Sequence, residues 1–166
     1  QYGLDKWYNL SYYYLYKFLL FVTLNMELKR VVITGVGIVS PLGIGVEETW
    51  SALIAGKSGA APITHFDASK FNTRFACEVK GFDPNQYFDR KEARKLDRYA
   101  QYAIVAAKEA IENSGLDLEV EDKNEIGVVV AAGIGGMETL ENEVSNYAVN
   151  IEKGPRFNPF FIPKMI

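Results

Sequence analysis

Cys77 and His65 are the residues of this sequence whose side chains could supply a nucleophile and a base. They are the only cysteine and the only histidine among the 166 residues. A thiol becomes nucleophilic when a neighbouring base or a helix N-terminus lowers its pKa, but Cys77 follows the apolar pair Phe75-Ala76 in a segment of extended character. We therefore interpret Cys77 as a core-packing residue and His65 as a structural one. The same counts exclude an intrachain disulfide and argue against a zinc site.

Two glycine-containing segments share part of the pattern of nucleotide-binding loops. Gly35-Val36-Gly37 follows an apolar run, but Ser40 stands where the dinucleotide fingerprint needs a third glycine or alanine. Gly56-Lys57-Ser58 matches the end of a phosphate-binding loop, but Ser51 stands where that motif needs its first glycine. We interpret both segments as structural turns, with nucleotide binding as the alternative.

The loop Gly133-Ile134-Gly135-Gly136 has three glycines in four residues directly after an apolar run. Glycines cost backbone entropy and add no packing, so such a loop is expected where the chain needs positive φ or where another group approaches closely. The carboxyl ends of parallel strands are also where α/β sheets bind ligands. The loop is thus a candidate binding element, and a plain tight turn is the alternative.

Four basic residues lie within six positions of an otherwise acidic chain, which has a net charge of −3. We call Arg90, Lys91, Arg94 and Lys95 the basic cluster. The last three have helical spacing and are expected to share one face. The cluster is either a solvated helix turn or a docking face for an acidic partner. The overall charge gives no reason to expect nucleic-acid binding.

The pattern of the remaining residues predicts an α/β layer with a mainly parallel sheet. Apolar, β-branched runs at 31–34 and 126–132 predict two buried strands. Helical spacing predicts helices over 46–55, 98–112 and 137–149, ended in the first two cases by Gly56 and by Ser114-Gly115. The alanine-rich second helix is expected to be buried on most sides, with Gln101 on its polar stripe.

Residues 1–25 differ in character from the rest. They contain six of the ten tyrosines, and their apolar run at 18–24 is far shorter than the roughly 20 residues that span a bilayer. We expect no membrane span and interpret this segment as extraneous or mis-started sequence, with a native extension or a membrane-associating segment as alternatives. The domain then covers residues 26–166, starting at Met26.

Residues 26–166 resemble the β-ketoacyl synthase family, specifically its fatty-acid-elongating type. No single motif is specific, but their order along the chain is. The segments that carry the resemblance are Lys29-Arg30-Val31-Val32-Ile33-Thr34-Gly35-Val36-Gly37, Ser40-Pro41-Leu42-Gly43, Trp50-Ser51-Ala52-Leu53-Ile54-Ala55-Gly56-Lys57-Ser58-Gly59, His65-Phe66-Asp67, Arg90 to Asp97, Gly133 to Gly136, and Gly154-Pro155-Arg156 with Pro159-Phe160-Phe161-Ile162-Pro163.

The resemblance implies a thiolase-like layered α/β fold, of which this chain is an incomplete N-terminal half. It also implies a cytoplasmic homodimer that performs a decarboxylative Claisen condensation on thioesters of acyl carrier protein, without a cofactor. The family's nucleophilic cysteine and two histidines match no residue here, so we expect the chain to be truncated before them and inactive alone. A non-catalytic partner subunit resembling a chain-length factor and a polyketide-type ketosynthase are the alternatives.

The same resemblance implies roles for six residues. Ile134 corresponds to an acyl-pocket residue, and Phe161 to a pocket residue contributed across the dimer interface. The positions that correspond to those facing the acidic carrier protein are Lys91, Arg94, Lys95 and Arg156. One departure lies beside Arg156, where a usually basic position is Phe157.

Overall fold

The computed structural model describes Tyr14, Tyr16, Lys17 and residues 30–166. The chain divides into two compact units, residues 1–33 and residues 34–166. In the first unit, the three described residues near the N-terminus are helical, and residues 30–33 have no regular secondary structure. The boundary expected at Met26 lies outside the described residues and stays a prediction.

In the second unit, helices and turns alternate with two small β-ladders. In chain order the elements are β1 (Val39–Ser40), β2 (Gly43–Ile44), α1 (Val46–Ile54), β3 (Ala61–Pro62), β4 (Phe75–Ala76), α2 (Arg90–Ala93), α3 (Arg98–Ser114), α4 (Met137–Val149) and α5 (Phe161–Met165). Single 3-10 turns lie at Pro84–Gln86, Lys123–Glu125 and Ile151–Lys153. Both ladders are antiparallel: β1 pairs with β2, and β3 pairs with β4.

The three long helices predicted from the sequence are confirmed as α1, α3 and α4. Gly56 and Gly115 follow the first two with φ of 65° and 69°, which is the left-handed conformation expected of a residue that ends a helix. Asp97 begins α3 as its N-cap, and its side chain accepts a hydrogen bond from the Tyr99 N–H. Local capping signals therefore account for both ends of α3 and for the C-terminal end of α1.

The two strands predicted at 31–34 and 126–132 are wrong for the described residues. Neither run pairs with another strand, and the mainly parallel sheet that they implied is absent from this part of the chain. Val31 is 89% exposed and Val129 is 96% exposed. A strand requires the backbone donors and acceptors of a neighbouring strand, so an apolar run forms one only where such a neighbour lies alongside.

Gly35 and Gly37 allow the backbone before β1 to lie directly on α3. A Cβ atom at Gly35 would overlap the carbonyl oxygen of Ala110, and one at Gly37 would overlap that of Ala106. The Asn113 side chain adds a hydrogen bond of 2.9 Å to the Val36 carbonyl. The space beside these glycines is filled by a helix of the same chain, which confirms their interpretation as structural.

Glu109 joins α3 to the start of α1. Its carboxylate accepts hydrogen bonds from the Val46 N–H at 2.7 Å and the Ile38 N–H at 2.9 Å. The N-cap of α1 is Gly45, which has no side chain to satisfy the first N–H groups of the helix. A carboxylate from α3 takes that role and also complements the positive end of the helix.

The core of the second unit is small and lies where the 79–88 segment meets α3. Phe82, Phe88 and Val105 are its buried residues, and the Tyr102 ring meets Phe82 edge-on with centroids 4.8 Å apart. The prediction that α3 is buried on most sides is wrong, because Gln101 and Val105 are the only buried residues of this helix. One side of the helix packs on this core, and another side forms the wall of a groove.

Candidate functional site

The glycine-rich loop 133–136 has the features that its composition predicts. Gly135 has a φ of 80°, and a Cβ atom there would overlap the carbonyl oxygen of Met165. The Gly136 N–H donates a hydrogen bond of 3.2 Å to that same oxygen. Positive φ and close backbone approach are both present, so these positions require glycine.

The loop borders an open apolar groove with a volume of about 670 Å³. One wall is the face of α3 from Tyr99 to Ile111, the other is the segment 128–135, and Met165 and Ile166 complete the lining. The polar side chains that reach it are Tyr99 and Lys108. A groove with this lining suits an aliphatic chain, whose burial releases about 0.8 kcal/mol per methylene.

The two predicted pocket residues lie in different surroundings. Ile134 lines the groove and is 73% exposed. Phe161 does not line it, because its ring is stacked on Phe157 with centroids 5.5 Å apart. Phe157 in turn meets Tyr147 at 5.5 Å. The described chain therefore does not bring Ile134 and Phe161 into one pocket.

The basic cluster lies on α2 and the residues just after it. Asp89 caps this helix through hydrogen bonds from the Lys91 N–H at 2.7 Å and the Glu92 N–H at 2.9 Å. The helix ends at Ala93, so the expected shared helical face stops one residue before Arg94. All four cationic side chains of the cluster are exposed. They are available to a partner of opposite charge.

Lys95 connects the cluster to the C-terminal segment. Its ammonium nitrogen lies 5.8 Å from the centroid of the Phe160 ring, a cation–π distance. Arg156 lies elsewhere on that segment, in a small pocket of about 210 Å³ that it shares with Lys153 and Tyr147. Arg156 is exposed, and Phe157 beside it is held in the aromatic stack.

Cys77 and His65 do not form a catalytic pair. Cys77 is exposed, so the prediction that it packs in the core is wrong; its neighbours β3 and β4 form a two-stranded ladder too small to cover it. The backbone N–H of His65 donates to Glu78 at 3.3 Å. Hydrogen bonds from the hydroxyl and then the N–H of Thr64 lower the pKa of Glu78 below its ordinary value.

A buried polar cluster formed by Asp97, Gln101 and Thr139 was not expected from the sequence. These residues are 8%, 6% and 9% exposed. The Thr139 hydroxyl donates to Asp97 Oδ2 across 42 positions of sequence. The Gln101 amide donates to the Ala93 carbonyl at 2.9 Å, so its expected place on the polar stripe of α3 is wrong. The helix-capping position of Asp97 is the one signal that could have pointed to this cluster.

The comparison with protein families tests the resemblance that the sequence suggested. Residues 28–166 match the model of the β-ketoacyl synthase N-terminal domain. The chain belongs to the β-ketoacyl synthase family.

Curated β-ketoacyl synthases match the chain closely over its matched part. It is 49% identical over 142 residues to 3-oxoacyl-[acyl-carrier-protein] synthase 2 of Vibrio cholerae, covering 85% of this chain and 34% of that protein. It is 43% identical over 143 residues to the enzyme of the same name from Synechocystis, covering 86% and 34%. The chain therefore spans about a third of the length of the curated relatives that it matches.

Solved ketosynthase structures share the fold. The ishigamide ketosynthase/chain length factor is matched with a TM-score of 0.67 and 30% identity, over 83% of this chain and 34% of that one. A β-ketoacyl synthase from Burkholderia phymatum is matched with a TM-score of 0.65 and 25% identity, over 84% and 34%. These matches confirm the predicted thiolase-like α/β fold class, with this chain as its N-terminal part.

The family assignment agrees with the interpretation of both segments that resemble nucleotide-binding loops as structural turns. Gly35 and Gly37 are packed on α3, and Gly56 follows the C-terminal end of α1 rather than preceding a helix N-terminus.

In the described ranges, 30–166 and the three residues near the N-terminus, no helix has the length and apolar character that a membrane span requires.

Proposed function

We propose that this chain supplies the N-terminal acyl-groove and carrier-docking elements of a 3-oxoacyl-[acyl-carrier-protein] synthase. The observation that carries the proposal is the apolar groove beside Ile134 in a chain of the β-ketoacyl synthase family. The names of the curated relatives support the substrate class, because each relative is a 3-oxoacyl-[acyl-carrier-protein] synthase 2.

The proposed reaction is a decarboxylative Claisen condensation. A cysteine thiolate displaces the carrier thiol from an acyl thioester and becomes acylated. Loss of CO2 from malonyl carrier protein leaves an enolate, which attacks the acyl-cysteine carbonyl, and the thiolate leaves as the 3-oxoacyl product forms. Neither Cys77 nor His65 corresponds to the family's catalytic positions. We therefore place the nucleophile and its two histidines outside these 166 residues and assign no catalytic role to this chain's own residues.

The groove is the proposed binding site of the acyl chain. Most of its lining consists of alanine, valine and isoleucine side chains of α3 and 128–135, which bind methylenes without directional contacts. Ile134 lines it from a loop that packs closely on the backbone of Lys164 and Met165, an approach that Gly135 and Gly136 permit. The side chain at this position is therefore expected to limit how a chain is accommodated.

The basic cluster is the proposed docking face for acyl carrier protein. Lys91, Arg94 and Lys95 are exposed on a chain of net negative charge, so a local positive patch would steer an acidic carrier to this surface. Arg156 is assigned the same role because it corresponds to a carrier-facing position of the family. A solved neighbour supports this partner, since it is a type II PKS acyl-carrier protein in complex with its ketosynthase.

The proposal extends to the assembly. Phe161 lies outside the groove of its own chain, which fits a role in the acyl pocket of the partner copy of a homodimer. A cytoplasmic location belongs to the same proposal.

A second candidate is a non-catalytic partner subunit related to chain-length factors. The match to the ishigamide ketosynthase/chain length factor raises this candidate, because that name covers both kinds of subunit. Such a subunit would keep the groove and the fold but would lack the nucleophilic cysteine in the complete protein. A polyketide-type ketosynthase would keep the cysteine and differ in the acyl chains that it accepts.

An assay of the complete gene product tests these alternatives. We expect it to release CO2 from malonyl carrier protein and to form a 3-oxoacyl carrier when acyl carrier protein is present, and the 166-residue chain alone to do neither. CO2 release by the chain alone would contradict the placement of the catalytic residues. A complete protein that condenses only when a second synthase is added would favour the partner-subunit function.

A further inference from the structure

We propose that Asp97 and Thr139 are positioning residues that fix the glycine-rich loop, and with it Ile134, against the start of α3. This inference deepens the proposed function and rests on it for the identity of the ligand in the groove. The contacts that define the positioning role are independent of that identity.

Asp97 connects the start of α3, which forms one wall of the groove, to the start of α4, which follows the glycine-rich loop. One oxygen of its carboxylate, Oδ1, accepts the Tyr99 N–H at 3.4 Å and so caps α3. The other, Oδ2, accepts the Thr139 hydroxyl in the first turn of α4. Because α4 begins at Met137, directly after the glycine-rich loop, this bond holds the end of the loop to the helix that forms the opposite wall.

The loop itself contacts the same carboxylate. A Cβ atom at Gly136 would stand 3.0 Å from Asp97 Oδ2 and would overlap the Lys164 carbonyl oxygen. Gly136 is buried and has no side chain with which to cap α4. The loop is thus held by backbone contact with the C-terminal segment and by the side-chain bond between Thr139 and Asp97.

Burial makes this bond effective as a positioning element. Asp97 is 8% exposed and Thr139 is 9% exposed, so water does not compete well for the carboxylate, and losing the hydroxyl leaves a buried acceptor with fewer partners. Gln101, one turn along α3, binds the Ala93 and Leu96 carbonyls at 2.9 and 3.4 Å. The end of the α3 helix that holds the loop is therefore itself fixed to the segment bearing the basic cluster.

The test compares Thr139→Val, Thr139→Ser and the unchanged protein, each as the complete gene product, by NMR with labelled isoleucine methyl groups and backbone nitrogens. Valine keeps the size of threonine and removes the hydroxyl. We expect Thr139→Val to shift the Ile134 methyl resonance and to accelerate amide exchange at Gly136 about tenfold. Thr139→Ser restores the hydroxyl and is expected to restore both values.

Thr49→Val is the matched control. Thr49 is also a buried threonine, 3% exposed, and its hydroxyl bonds to the Gly43 carbonyl at 3.1 Å and the Ser40 hydroxyl at 3.0 Å. A general loss of stability would affect both valine variants. The positioning role predicts that Thr49→Val leaves the Ile134 methyl resonance where it is in the unchanged protein. It also predicts that amide exchange at Gly136, corrected for any change in global stability, is the same in both proteins.

Titration with short, medium and long saturated acyl thioesters separates this inference from the function that it deepens. We expect the affinity ratio between long and short thioesters to shrink about threefold in Thr139→Val. If the unchanged complete gene product binds none of them, the proposed function fails, and the methyl and exchange data still decide the positioning role. That role is overturned if Thr139→Val leaves Gly136 exchange and the Ile134 resonance unchanged, or if serine fails to restore them.

Discussion

Replacing Lys91 and Lys95 with glutamate together is expected to weaken binding of acyl carrier protein by about a hundredfold, because two attractive charges become repulsive at the docking face. Both side chains are exposed, so the effect should shrink as salt is added and screens the charges. Isothermal titration of carrier protein into the complete gene product measures the affinity, and repeating it at several salt concentrations measures the screening.

The control for this double change is Lys57→Glu with Lys70→Glu. These lysines are also exposed and lie outside the basic cluster, so the control changes net charge equally without altering the proposed face. Turnover of a soluble acyl thioester that needs no carrier should be the same in all three proteins. Equal loss of carrier affinity in both double variants would show that overall charge, rather than the basic cluster, governs binding.

Ile134→Asp is expected to lower the affinity for a long saturated acyl thioester by more than about tenfold. The substitution places a carboxylate in a mainly apolar groove. An aliphatic chain bound there would remove part of the hydration of that carboxylate, which costs binding free energy. Fluorescence or NMR titration of the complete gene product gives the affinity directly. Ile134 is 73% exposed, so the substitution is expected to leave the free energy of unfolding nearly unchanged.

Ile54→Asp provides the matched control. Ile54 has the same side chain and is 71% exposed, but it lies at the end of α1 and does not line the groove. It should bind the thioester as the unchanged chain does. Similar affinities for the Ile134→Asp and Ile54→Asp variants would remove Ile134 from the acyl site.

The helices of this chain could be predicted because their signals are local. Glu47 and Glu48 in the first turn of α1, Gly56 after its end and Gly115 after α3 fix boundaries within a few positions of themselves. The glycine-rich loop was similarly predictable, since Gly135 needs its positive φ whatever approaches it. Capping and backbone sterics are short-range effects that a sequence displays directly.

The strands could not be predicted in the same way because pairing depends on residues far along the chain. The run at 126–132 has the composition of a buried strand, yet Val129 is 96% exposed and unpaired among the described residues. By contrast, the observed ladder between β3 and β4 joins Ala61 to Ala76 and Pro62 to Phe75. The extended character of Phe75-Ala76 agrees with its sequence, but no pattern at Ala61-Pro62 marks the partner strand. Apolar composition indicates a preference for burial, and only a neighbour supplies the hydrogen bonds.

The candidate site could be predicted only in part, because some of its contacts also join residues far apart in the sequence. Ile134 was assigned by resemblance and lies in the groove, whereas the contact between Asp97 and Thr139 spans 42 positions with no periodicity to reveal it. Gln101 has a polar side chain and was expected to face water, but two backbone carbonyls satisfy its amide inside the protein. Burial of a polar group depends on partners that only the fold identifies.

Photoaffinity labelling tests the central claim, that this chain forms the acyl groove of a condensing enzyme, most directly. A saturated acyl thioester with a diazirine in its chain would be irradiated with the complete gene product, and the labelled peptides identified by mass spectrometry. We predict labelling of the peptide that contains Ile134 and of the α3 face from Ala100 to Ile111, both lost when unlabelled thioester is added in excess. Labelling confined to other surfaces, or labelling that excess thioester does not reduce, would contradict the account.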